Sequence, residues 1–89
     1  MVDRVQIKIL DTSHGPVYEQ IRLQISGMID AGMLVSGFEL PRPSKLAQDA
    51  NVDKGEVSRA YFELEQQGRI ISRKSKNFLG ETSVTYQVK

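Results

Sequence analysis

Eighty-nine residues, 39% apolar and 26% charged, are enough for one globular domain with a single modest core. The chain has no cysteine and one histidine, which excludes disulfides, thiolate metal sites and cysteine nucleophiles and leaves no metal or cofactor to expect. No apolar run approaches the roughly 20 residues that span a bilayer. No signal segment opens the chain, so the expected location is the cytoplasm.

Twelve basic residues against 11 acidic ones leave a net charge of +1. The cations gather late: between Arg69 and Lys76 stand Arg69, Arg73, Lys74 and Lys76 with no acid among them.

From Arg4 to Leu10, Val5, Ile7 and Ile9 alternate with Gln6 and Lys8, which predicts a half-buried strand. Asp11 to Gly15 is turn chemistry, and Pro16 suits the first position of a helix. Tyr18, Ile21, Ile25, Met28 and Ile29 then recur at helical spacing to about Ala31, with Gly32 as the stop. Leu34 to Leu40 reads as a connector with Leu40 turned to the core. Pro43 opens a short second helix carrying Leu46, Ala47 and Ala50, and Asn51 ends it in a tight turn that buries Val52. Asp53 with Glu56 three residues on is a capping box for a third helix. Its inward face is Val57, Ala60, Tyr61 and Leu64, and Gly68 ends it. Ile70-Ile71 starts a strand, Arg73 to Asn77 reads as its polar tip, and Phe78-Leu79 as the return. After a turn at Gly80 to Ser83, Val84, Tyr86 and Val88 alternate with Thr85 and Gln87, which predicts a further edge strand.

Helix, tight turn, longer helix and basic hairpin is the order of a winged helix-turn-helix. The expected fold is therefore α+β: three helices and a wing hairpin in one domain. A core over residues 16–79 follows an N-terminal strand and turn (1–15) and precedes a C-terminal strand (80–89).

With its apolar side inward, the third helix presents Lys54, Gly55, Glu56, Ser58 and Arg59 outward. Lys54 and Arg59 can reach phosphates or base edges, and Ser58 can donate or accept. The same set would also suit a solvated helix face. Arg42 and Lys45 fall where phosphates would lie. Arg73, Lys74 and Lys76 suit either a wing on the DNA backbone or a soluble exposed turn. Asp53 reads as a helix cap. Glu56 is either a cap or an acceptor for a cytosine amino group. His14 reads as a turn residue, Glu63 and Glu65 do not face each other, and Tyr61 falls on the inward stripe.

Several segments resemble the DNA-binding domain of GntR-family bacterial transcription regulators, above all the small YtrA-like members. They are Pro16-Val-Tyr-Glu-Gln-Ile21, Ala31-Gly-Met-Leu34, Gly37-Phe-Glu-Leu-Pro41, Leu46-Ala47, Val52, Val57-Ser-Arg-Ala-Tyr61, Leu64-Glu65 and Gly68. The resemblance implies homodimeric binding to palindromic operators. It also implies DNA contacts at Arg42, Ser44, Lys54, Gly55, Glu56, Ser58 and the wing from Arg73 to Asn77.

The expected function is that of a non-enzymatic, sequence-specific regulator of double-stranded DNA without an effector-sensing domain. The two outer strands are expected to pair with each other or across a twofold axis in a homodimer. The rival is a winged-helix module that grips a protein partner, motivated by the acids Asp53 and Glu56 and by the missing cation at Ser44. No membrane partner is expected.

Overall fold

The structure, a computed structural model, describes residues 5–9, 13 and 15–89. Three helices, α1 (Val17–Asp30), α2 (Pro43–Ala50) and α3 (Lys54–Gln66), pack with a small sheet of β1 (Glu39–Leu40), β2 (Ile70–Lys76) and β3 (Thr82–Val88).

All three helices stop in the same way. At the end of α1 the Gly32 N–H donates to the Ile29 carbonyl and the Met33 N–H to that of Met28. Asn51 and Val52 close α2, and Gly68 and Arg69 close α3, with the matching pair of bonds. The pattern requires one left-handed residue, and Gly32, Asn51 and Gly68 supply it at φ 76°, 57° and 74°. Pro43 stands at the first position of α2, as expected. Pro16 does not start α1 but precedes it as the N-cap residue.

The inward stripes meet in one core. Ile21 and Ile25 of α1, Leu46 of α2, and Val57, Ala60, Tyr61 and Leu64 of α3 are buried against Leu34, Leu40, Ile70 and Val88. Val52 is only half-buried at the rim of that core.

The sheet is antiparallel with strand order β1-β3-β2. Its register runs from Ile70 opposite Val88 to Lys76 opposite Thr82. This corrects three expectations. The strand from Ile70 continues through Arg73, Lys74 and Lys76, so these residues are not the hairpin tip. Phe78 and Leu79 are not the return strand, because they lie in the connection between β2 and β3. The C-terminal strand is neither separate nor at an edge: β3 is the wing's return strand and the middle of the sheet.

The loop closes as a three-residue turn. The Gly80 N–H donates to the Asn77 carbonyl and the Asn77 N–H to the Glu81 carbonyl, both at 3.0 Å. Gly80 takes φ 83°, the left-handed position such a hairpin needs.

At the other end, residues 5–9 keep the predicted alternation, with Val5 buried, Ile7 and Ile9 half-buried, and Gln6 and Lys8 exposed. They are not a strand. Their hydrogen-bond partner is a side chain: the Lys8 N–H donates to Gln24 Oε1 at 3.0 Å, and Gln24 Nε2 donates to the Lys8 carbonyl at 2.6 Å. Edge-strand pairing with a second copy therefore loses both of the strands it invoked. Arg4, Leu10 and His14 lie outside the described residues. The architecture is a winged helix-turn-helix.

Removing the Gln24 amide should free the amino-terminal segment without unfolding the core. Gln24→Ala is expected to cost about 0.5–1.5 kcal/mol for each hydrogen bond removed. Amide exchange at Lys8 should accelerate while exchange at Leu64 stays unchanged.

Candidate nucleic-acid interface

The third helix offers one continuous outer surface. Val57, Ala60, Tyr61 and Leu64 are fully buried, and Lys54, Gly55, Ser58, Arg59 and Phe62 are exposed. Asp53 caps this helix as expected, its Oδ1 accepting from the Gly55 N–H at 3.3 Å. A Cβ on Gly55 would meet nothing closer than Asp53 Oδ2 at 3.9 Å. Packing therefore does not require the glycine, which leaves bare backbone at the helix start.

Glu56 takes neither of the roles weighed for it on α3. Its carboxylate Oε2 accepts from the Tyr18 N–H at 2.8 Å, capping α1 instead. The reason lies in Pro16, which occupies the N-cap of α1 and has no side chain to accept a hydrogen bond. The capping box is thus half right, and one carboxylate oxygen of Glu56 is engaged in a bond inside the protein.

Arg59 belongs to the same flank. Its guanidinium carbon lies 3.8 Å from the centre of the Tyr18 ring, and its Nε is 3.5 Å from Glu63 Oε2. Arg22 Nε approaches Glu63 Oε1 at 3.4 Å, so one carboxylate joins both helices. Such contacts at exposed sites contribute about 0.5–1 kcal/mol for the cation–ring pair and roughly 0–1 for each ion pair. With 61% of its side chain exposed, Arg59 leans toward α1 but keeps a face to solvent.

Tyr61 ties the remaining parts together. Its hydroxyl donates to the Pro41 carbonyl at 2.7 Å, next to Arg42 at the start of α2. Its ring meets that of Tyr86 on β3 edge-on, with centroids 4.9 Å apart. Burial, and secondarily the neighbouring Tyr86, push the phenol well above its ordinary range, so it stays a neutral donor. Glu65 on α3 accepts from Ser72 Oγ at 2.7 Å and holds the base of the wing.

Successive residues of a strand point to opposite faces. Lys74 and Lys76 therefore follow Ser72 and the buried Ile70 on one face, and Arg73 lies on the other. Ser75 is on Arg73's side, its Oγ 3.0 Å from Ser83 Oγ across the hairpin. The three cations are split by the pleat rather than bunched.

Among the described residues, Arg42, Lys54, Arg73, Lys74 and Lys76 are exposed and make no ion pair. Lys45 is paired with Asp49 at 3.2 Å. Ser44 and Ser58 are exposed beside these cations on α2 and α3. The adjacent rings Tyr61 and Phe62 could suggest base stacking from the sequence, and of the two only Phe62 is available. It is 59% exposed on the outer surface of α3, one turn after Ser58 and two turns after Gly55, while Tyr61 is buried.

No family model matches the sequence, and no curated protein does. Among solved structures, YtrA from Sulfolobus acidocaldarius, a GntR-family transcription factor, is 33% identical with a TM-score of 0.72, covering 84% of this chain and 70% of that one. The chain belongs to the GntR family. The AraR DNA-binding domain in complex with operator ORR3 is 26% identical, with a TM-score of 0.58 over 78% of each chain. The same domain in complex with operator ORX1 has a TM-score of 0.62 and covers 91% of this chain at 23% identity, a likeness of fold. In this GntR-family chain the winged-helix frame is therefore shared, and within it Glu56 ties α3 to the start of α1 while Tyr61 ties α3 to Pro41.

Two variants test the frame. Glu56→Ala should uncap α1 and cost about 0.5–2 kcal/mol in urea denaturation, and Glu56→Gln, which keeps an acceptor, should recover most of that. Tyr61→Phe should change the alkaline limb of stability. Below about pH 10 the phenol is protonated in both states, and above it the unfolded chain ionises while the folded phenol does not. Stability conferred by Tyr61 should fall as pH rises past that point, and the variant should lose less over the same range.

Proposed function

We propose that this chain is a sequence-specific regulator that binds double-stranded DNA, with α3 in the major groove and the β2–β3 wing along the adjacent backbone. The observation that carries the reading is the sorting of cations. On the α1 side of the molecule the arginines Arg22, Arg59 and Arg69 are matched by Glu63 and Asp30, while Lys8, held to Gln24 through its backbone, has no acidic partner among the described residues. Those at the starts of α2 and α3 and on the wing, the Lys45–Asp49 pair aside, are free of acidic partners among the described residues.

Each part has a role in this reading. Arg42, Ser44 and Lys45 at the first turn of α2 hold phosphates, the Lys45–Asp49 pair being weak enough to exchange for one. Lys54 and Ser58 reach base edges from the first two turns of α3, and Gly55 lets the groove approach the backbone. Arg73, Lys74 and Lys76 hold phosphates from both faces of the wing. The AraR domain was solved in complex with operators, which supports duplex DNA as the partner. The adaptor reading rests on Asp53, Glu56 and the missing cation at Ser44. Both carboxylates accept hydrogen bonds from helix N-termini inside the fold, and Ser44 is flanked by the exposed cations Arg42 and Lys45.

Anisotropy titrations against duplex DNA over a range of salt should give an affinity that falls steeply as salt rises. Replacing Arg73, Lys74 and Lys76 together by alanine should weaken binding to all sequences. The same replacement should flatten the salt slope by up to about 0.9 for every phosphate no longer neutralised. Lys54→Ala and Ser58→Ala should shift sequence preference as well. A salt-independent affinity, or none at low salt, would end the reading.

A further inference from the structure

The apex of the wing carries two apolar side chains that the fold does not use. Phe78 is 95% exposed and Leu79 is 69% exposed, the two most exposed large hydrophobic residues of those described. From Arg73 outward every residue of β2 is exposed, so the apex stands roughly 20 Å beyond Ser72 at about 3.3 Å per residue. Neither side chain contributes to the core, and both cost solvation free energy where they stand.

The backbone beneath them is held firmly. Besides the two turn hydrogen bonds, Asn77 Oδ1 accepts from the Leu79 N–H at 2.9 Å and from the Glu81 N–H at 3.0 Å. The acid nearest the apex, Glu81, is itself held, its Oε1 accepting from Asn77 Nδ2 at 3.1 Å. Below the apex, Lys74 and Lys76 lie on one face and Arg73 on the other, none paired with an acid among the described residues. An apolar point flanked by free cations is complementary to a polyanion with an apolar interior. Carried at the tip of a narrow hairpin, the two side chains present a point rather than a flat patch, and such a point fits a minor groove about 6 Å wide.

We propose that Phe78 and Leu79 form a wedge that enters the minor groove beside the α3 site and parts a base step. Arg73, Lys74 and Lys76 hold the flanking phosphates. The inference rests on the duplex-binding reading above. Apolar wedges of this size unstack a step and bend the duplex, most easily at a pyrimidine–purine step such as TA.

The test uses the whole chain and a short duplex with 2-aminopurine at a central TA step and a donor and acceptor dye at its ends. The wild type should raise the 2-aminopurine fluorescence and shorten the end-to-end distance. Phe78→Ser with Leu79→Ser, at sites outside the core, should keep the salt slope. That double variant should bind about tenfold more weakly, the scale of one base–aromatic stack, and leave the fluorescence at the level of free duplex. Salt-dependent binding by the wild type without either optical change would overturn the wedge and leave the duplex reading standing. So would distortion by the double variant equal to that of the wild type. If the wild type does not bind even at low salt, both readings fall together.

Discussion

A phenol buried in the middle of α3 must find an acceptor, and the one it finds decides where α2 begins. An unmade hydrogen bond there would cost about 1–3 kcal/mol. Tyr61 avoids that cost through the Pro41 carbonyl, in a Pro-Arg-Pro segment with little freedom of its own. The same ring meets Tyr86 edge-on, a geometry that adds about 0.5–1.5 kcal/mol beyond burial. One side chain therefore references α2, α3 and the wing to a common point. These are the three elements that carry Arg42, Lys54 and the wing cations. Their spacing is a property of the core, not of flexible surface groups.

The second constraint is an exchange between helix starts. Pro16 sets the φ needed to enter α1 but brings no acceptor, so the free N–H groups of that helix draw Glu56 from α3. The carboxylate completes α1 and is turned away from the outer surface of its own helix. Asp53 alone then caps α3. Arg59 and Arg22 close around Glu63 on the same flank. Acidic charge is drawn to the seam between α1 and α3, where it supports the fold.

The helices are legible in the sequence because their signals are local. Period and stop residue agree at Gly32, Asn51 and Gly68, and every residue assigned to the inner face of α3 is buried. The hairpin is not, because its pairing is non-local. Arg73 to Lys76 has the composition of a turn, yet β3 pairs with it residue by residue. Phe78-Leu79 has the composition of a strand, yet Asn77 and Gly80 place it at the apex. The alternation of Val5, Ile7 and Ile9 correctly signals half-burial, but the hydrogen-bonding partner of that segment is the side chain of Gln24. Glu56 shows the same limit. Spacing of three residues points to its own helix, whereas its partner lies 38 residues earlier in the chain. The family is legible in the order of short motifs, and the electrostatic sorting is not.

That sorting explains how a chain with net charge +1 can address a polyanion. Charge acts over about 8 Å at physiological ionic strength, so a phosphate meets the local surface and not the sum. Asp30, Asp49 and Glu63 are engaged by Arg69, Lys45 and the Arg22–Arg59 pair. Asp53 and Glu56 are held at helix starts, Glu65 at Ser72 and Glu81 at Asn77. Among the described residues those acids leave Lys8 and Lys89 uncompensated, and with them Arg42, Lys54, Arg73, Lys74 and Lys76 on the elements that Tyr61 and Glu65 hold in register. A near-zero total is therefore compatible with five unpaired cations on three elements that one core holds together, because the acids that balance the sum are engaged where they support the fold.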